Sequence, residues 1–232
     1  MKIGVQRIRT TWSEIRYFRD LRSLLISVFF AMAGIYIIIA FSFIYGSQVI
    51  GWDEEVRVFM FITVQITAAL GAVGFGWLQS HIGARTTYII TLTLWLLAIL
   101  AIWQTPALTV LIQNLFGVSW EAQYVFLFAG VLAGASLGSS QSATRALVGV
   151  LTPRGKAAEF FGFWGMSSKL AAVFGILGLG AIQWGFGLAD AILFCLVLFV
   201  LAIITVLPVN ERRGEAAAEA WQDQANPDLR SS

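Results

Sequence analysis

The chain has 232 residues, 58% of them hydrophobic and only 12% charged, with a net charge of +2 and a mean hydropathy of +0.79. A soluble domain needs a charged surface, so this composition excludes an ordinary soluble enzyme or binding module and points to a polytopic membrane protein. Nucleic acid is excluded as a partner as well. Six of the 15 basic residues (Lys2, Arg7, Arg9, Arg16, Arg19 and Arg22) fall within the first 22 positions, but no folded basic domain holds them.

Residues 1–22 therefore read as a basic juxtamembrane segment in the cytoplasm, residues 23–208 as a transmembrane domain and residues 209–232 as a polar cytoplasmic tail. The basic region is too long for a cleavable signal peptide, and the apolar run after it is long enough to span. A helix crosses the hydrocarbon core with roughly 20 apolar residues. Six segments qualify, at about 24–45, 57–78, 86–104, 124–147, 159–182 and 188–207. The breaks between them carry turn or charge signals: "GSQVIGWDEE", "QSHIGAR", "QTPALTV…SWEAQ", "LTPRGKAAE" and "QWGFG". Within the third break, "ALTVLIQNLFGVSW" is too short to span and reads as interfacial or re-entrant, with Trp120 near the headgroups. The tail beyond Pro208 is polar and reads as frayed or weakly helical. The fold class is an all-α integral membrane bundle of six transmembrane helices.

Six spans put both termini on one side. Arg85, Arg154, Lys156, Arg212, Arg213 and Arg230 fall on the side of the basic N-terminal segment. The opposite loops carry Arg57 against Asp53, Glu54, Glu55 and Glu121. That asymmetry places both termini in the cytoplasm. A bacterial inner membrane is the expected location.

Lipid does not drive helices together, so small residues must let them approach. Gly130, Gly134 and Gly138 line one face of the fourth span, and Ala68, Ala72 and Gly76 do the same on the second. Gly162 and Gly165 do so less regularly on the fifth. Helical spacing continues the glycine stripe into Gln141 and Arg145, so a packing face becomes polar. Arg145 is close enough to the end of its span to snorkel. Lys169 lies about ten residues into the fifth span, near the bilayer centre, where a charge costs about 2.5–3.5 kcal/mol on insertion scales. It is either a structural ammonium, satisfied by carbonyls, Ser167 or Ser168, or a cavity charge that meets solute.

No Asp or Glu lies deep in any span, which leaves a proton relay without its usual carboxylate. His81 is the only histidine, and no cluster of ligands suggests a metal. No phosphate loop or Ser-His-Asp arrangement is recognisable, so neither an enzyme nor a cofactor is expected. The lone cysteine, Cys195, has no intrachain partner.

The loop "GWLQSHIGARTTY" resembles the signature loop of the major facilitator superfamily, with Gly76, Leu78, Gly83 and Arg85 in matching places. Ser80 stands where that loop carries an Asp that helps lock the cytoplasmic face, which implies a looser gate here. The stretch 130–180 resembles the autophagy-related vacuolar-effluxer branch of the superfamily. It has a Gly-rich helix, Gln141 and Arg145, then Pro153, then Glu159, Phe160, Phe161 and Gly162, then Lys169. The start of the chain resembles that branch's central loop and seventh helix, with Ala33 where an Asp is usual. The likeness covers nearly the whole chain but only the C-terminal six-helix half of a twelve-span protein.

The resemblance implies half of a secondary-active transporter for a small solute, working by alternating access against a second six-helix bundle. That bundle would be a separate chain or a second copy. Buried positive charge suggests an anionic or zwitterionic, amino-acid-like solute. Gln141, Arg145, Lys169, Ser139 and Ser140 are the substrate or gate candidates, and Arg145 and Glu159 form a possible ion pair. The alternative is a non-transporting scaffold, assembly or regulatory subunit derived from a transporter half. The partners expected are the lipid bilayer, a small solute and the second half.

Overall fold

The computed structural model describes residues 15–117 and 119–225. Among them every regular element is helical. Lys2, Arg7, Arg9 and Arg230 lie outside the described residues.

A short 3-10 turn at Ile15–Tyr17 leads into α1, Arg19–Tyr45, which continues as a π-helical turn over Gly46–Ile50. Then follow α2, Glu54–Ile82, and α3, Ala84–Trp103. The third break holds a helix of its own, α4, Thr105–Phe116, with Pro106 in its first turn, where a missing N–H does no harm. Next are α5, Ala122–Val150, and α6, Ala157–Phe186. Helices α1, α2, α3, α5 and α6 are each long and apolar enough to cross a membrane.

The sixth expected span, 188–207, is divided at Ile192 into α7, Leu188–Ala191, and α8, Leu193–Val206. Cys195 N donates to the Ile192 carbonyl at 2.9 Å, so the backbone tightens there into a 3-10 turn without leaving the helical direction. Of the tail expected to be frayed or weakly helical, the described part from Glu211 to Ala225 is helical. Helix α9, Glu211–Ala225, departs from α8 at 61°.

The five long helices and α8 pack in a chain of contacts: α2 on α5, α5 on α3, α3 on α8, α8 on α1 and α1 on α6. Helices α2 and α6 are the least buried spans, while the α1 core (Leu24, Val28, Ile37, Phe41) is fully enclosed.

Close contact explains the glycine stripe. A Cβ on Gly138 would overlap the Ala68 carbonyl oxygen, and one on Gly134 would lie 2.7 Å from that of Val64. Gly130 instead faces the flexible end of the Met60 side chain. Helices α2 and α5 thus meet backbone to backbone, which needs residues without side chains. Gly162 and Gly165 do not serve this purpose, because both face open space. The close approach of α6 to α1 comes three turns later, where Gly175 lies against the Ala33 carbonyl.

Candidate functional site

Two polar constellations stand out. The first lies between α2 and α5. Gln65 of α2 and Gln141, Ser142 and Arg145 of α5 line a concavity of about 480 Å³ floored by Ala68, Ala72 and Gly138. The same small residues that bring α2 and α5 together keep its floor shallow. Arg145 Nη2 donates to Gln141 Oε1 at 3.4 Å, one helical turn away. Its guanidinium sits 5.5 Å from the ring centroid of Trp164 on α6, a cation–π distance. These are the contacts of Arg145, so the ion pair expected with Glu159 is not the interaction it makes.

Lys169 of α6 is exposed as well and reaches toward α1. Its Nζ donates to Tyr36 Oη at 3.4 Å and lies 5.7 Å from that ring. A hydroxyl and a π face ease the ammonium without neutralising it, so its charge stays available. Arg145 and Lys169 are both exposed, and the contacts described for each hold no carboxylate.

Ser139 and Ser140 do not join them. Both are buried, since they point back toward the bundle. Ser139 Oγ donates to the Ala135 carbonyl at 2.9 Å, and Ser140 Oγ to that of Ser136 at 2.7 Å. Ser140 also accepts from Trp95 Nε1 at 2.9 Å, tying α5 to α3. Conversely, Gln65 and Ser142 line the concavity, Tyr36 and Trp164 meet Lys169 and Arg145, and none of the four was expected there. Gln65 had a signal: it is the one amide in the middle of an apolar span, which is where a polar residue needs a reason.

The second constellation is at the end of the bundle that carries Arg85 and Arg154. Gly83 takes φ +86 between α2 and α3, a conformation that glycine adopts without strain. The N-terminus of α3 then needs acceptors. Glu211 of α9 supplies them: its carboxylate accepts from Arg85 N at 2.7 Å and from Ala84 N at 3.4 Å. Arg85 in turn donates from Nη2 to the Leu207 carbonyl. Ser80, in place of an acid, bonds only locally, to the Trp77 carbonyl and within reach of His81 Nδ1. A carboxylate from the other end of the domain thus caps α3 beside the loop.

Asp20 completes this clamp. It is buried at the start of α1 and accepts from Arg213 Nε (2.9 Å), Arg213 Nη2 (2.6 Å) and Asn210 N (2.8 Å). The hydrogen bond and charge of Asp20 raise the Arg213 pKa further above its ordinary value. Gln222 accepts from Arg154 N at 3.3 Å, and Lys156 Nζ lies 4.8 Å from the Trp221 ring. Helix α9 therefore joins the start of α1, the α2–α3 turn and the α5–α6 turn. No group of three or more metal-ligating side chains occurs among the described residues.

Comparison with known proteins gives the same outline. The family model described as "Vacuole effluxer Atg22 like" matches residues 1–219. An "Uncharacterized MFS-type transporter YxiO" of Bacillus subtilis (strain 168) is 25% identical over 219 residues, which is 94% of this chain and 47% of that protein. "Autophagy-related protein 22" of Coccidioides immitis (strain RS) is 22% identical over 205 residues, 88% of this chain and 34% of that protein. The chain thus spans about half, or less, of the length of these relatives. No solved structure matches it. The family match covers residues 1–219 of the 232, and on that ground the chain belongs to the vacuole effluxer Atg22-like family.

Proposed function

We propose that this six-helix unit forms one wall of a solute pathway. In this reading it transports a small anionic or zwitterionic, amino-acid-like solute by rocking against a second six-helix bundle. The end that carries Arg85 and the clamp lies in the cytoplasm, as the loop charges suggest. One observation carries the proposal: Arg145 and Lys169, two exposed cations on apolar membrane-length helices, have no acid among their described contacts. A charge held that way at membrane depth is costly unless it meets water, an anion or a polar partner. A solute carboxylate is such an anion, and the amides of Gln65 and Gln141 beside it can orient an amino group. The transporter named among the relatives supports the same direction.

The test is transport by the full chain, with whatever bundle co-purifies, in liposomes carrying a panel of amino acids and small anions. Replacing Arg145 or Lys169 by Gln should lower the rate by about ten-fold or more, as expected for loss of a charge-assisted contact, with membrane abundance unchanged. Full rates in both variants would remove these residues from the pathway.

The absence of a mid-span Asp or Glu favours a second reading, a non-transporting scaffold or regulatory subunit. It predicts no uptake of any solute in the same liposomes while a stable complex with another membrane protein persists.

A further inference from the structure

A second cleft, away from the polar face's concavity, opens between the first turns of α1 and the early part of α6. Its volume is about 510 Å³, within the roughly 300–1,000 Å³ usual for small-molecule sites. Its walls are Leu25, Ile26, Phe29 and Phe30 from α1 and Met166 and Leu170 from α6. Phe29 closes the deep end, with ring contacts to Phe30 and to Phe174. At the mouth stand Arg16 and Arg22.

The charge at that mouth is out of balance. Arg16, Arg19 and Arg22 gather at the N-terminus of α1, where the helix dipole already favours anions over cations. The acid in this turn, Asp20, is 5% exposed and engaged by Arg213 and Asn210. No carboxylate among the described residues bonds to Arg16 or Arg22. Two exposed guanidinium groups, Arg16 and Arg22, therefore line the N-terminal end of an apolar slot.

The slot also has a telling depth. From Arg22 to Phe30 is eight residues, or about 12 Å of helix rise. A hydrocarbon core of roughly 30 Å gives each leaflet about 15 Å. The cleft is thus nearly one leaflet deep, basic at the boundary and apolar below it.

We propose that this cleft is a binding site for an anionic phospholipid of the adjoining leaflet. One acyl chain lies between α1 and α6, and the phosphate is held by Arg16 and Arg22. Arginine suits the task because its planar fork can take two phosphate oxygens at once. A bound lipid would fill the gap between the two helices and neutralise the α1 terminus beside the Asp20–Arg213 clamp. The proposal does not depend on the transport reading; it requires only that this end of α1 lie at the membrane–water boundary.

The experiment is native mass spectrometry of the full chain in detergent, titrated with a phosphatidylglycerol and a phosphatidylcholine of identical acyl chains. Wild type should retain the anionic lipid about ten-fold better or more, the size expected for two arginines at an anionic headgroup. The double variant Arg16→Gln/Arg22→Gln should lose that preference. Leu170→Trp should weaken both lipids and leave their ratio intact. If the double variant does not fold, wild type at about 1 M salt, where screening reaches down to ~3 Å, should lose the preference instead. Equal retention in wild type overturns the proposal, as does a preference that survives both the double substitution and high salt. So does displacement by glycerol phosphate as effective as by intact lipid, which would mean a free phosphate site. A lipid-free assembly whose cross-links cover the cleft would mean a protein occupant, and also overturns it.

Discussion

Two glycines on the chain's helices have opposite meanings, and the difference tests the packing. Gly138 has the Ala68 backbone where its Cβ would go, whereas Gly162 has nothing within 4 Å. Backbone cannot yield as a flexible side chain can, so Gly138→Ala must push α2 from α5. It should destabilise the detergent-purified protein by about 1–3 kcal/mol, as overpacking does elsewhere. Gly162→Ala faces open space inside a helix and should be neutral or slightly stabilising, since Ala is the better helix former by roughly 1 kcal/mol. Thermal unfolding of the two variants side by side checks this. Similar midpoints would mean that the stripe is not a contact surface. The sequence shows the Gly130–Gly134–Gly138 spacing plainly. It does not show that Gly162 and Gly165 are open, because spacing defines a face but not whether a neighbour occupies it.

At the scale of elements, α9 is the least predictable part of the fold. Its sequence, "ERRGEAAAEAWQDQA", has the composition of a solvated tail. Its order comes from partners far away in the chain: Asp20 for Arg213, the α3 N-terminus for Glu211 and the α5–α6 turn for Gln222. Gly214 allows the approach, because a Cβ there would overlap Leu151. Asp20 is buried and accepts three N–H groups, so Asp20→Ala leaves Asn210 N without its acceptor and Arg213 with only the Pro208 carbonyl and water. Losing a charged hydrogen-bond acceptor costs about 1.5–3 kcal/mol. Hydrogen exchange across residues 211–224 should therefore quicken by about ten-fold or more in Asp20→Ala, at 1.36 kcal/mol per decade. Glu211→Ala should act in the same direction through the lost cap, by about 1 kcal/mol. Amides in the middle of α1 and α5 should keep their protection in both variants. Unchanged exchange in α9 would mean that the clamp contributes nothing. The loop resemblance implied a looser gate from the serine at position 80. Beside that turn the Glu211 carboxylate accepts from the Ala84 and Arg85 amides, a contact invisible to any reading confined to the loop.

For the whole molecule, the distribution of burial argues for company. Helices α2 and α6 carry Leu70, 66% exposed, and Leu177, 70% exposed. Lipid could cover the apolar parts, but it does not suit the Gln65–Gln141–Arg145 strip. A second bundle seated across both helices would enclose that strip. Cysteines placed singly at Leu70 and Leu177 should then cross-link to another polypeptide in native membranes. The native Cys195 is fully buried and gives no background. Purified complexes should have a mass well above 25.4 kDa of protein. A single chain that fails to cross-link at both positions would show that the six-helix unit stands alone.

The sequence by itself determined the apolar segments, their breaks, the charge asymmetry and the glycine spacing. All of these depend on residues close in the chain and on the cost of placing polar groups in hydrocarbon. It also carried Gln141, Arg145 and Lys169 to notice, because a charge or amide inside a span is conspicuous against apolar neighbours. Only the tertiary structure decided that Ser139 and Ser140 turn inward, that Arg145 meets Trp164 rather than Glu159, and that Glu211 caps α3. Each of those outcomes depends on which helix lies opposite. That is settled by packing of the whole bundle, where partners more than a hundred residues apart, such as Arg85 and Glu211, meet within a hydrogen bond.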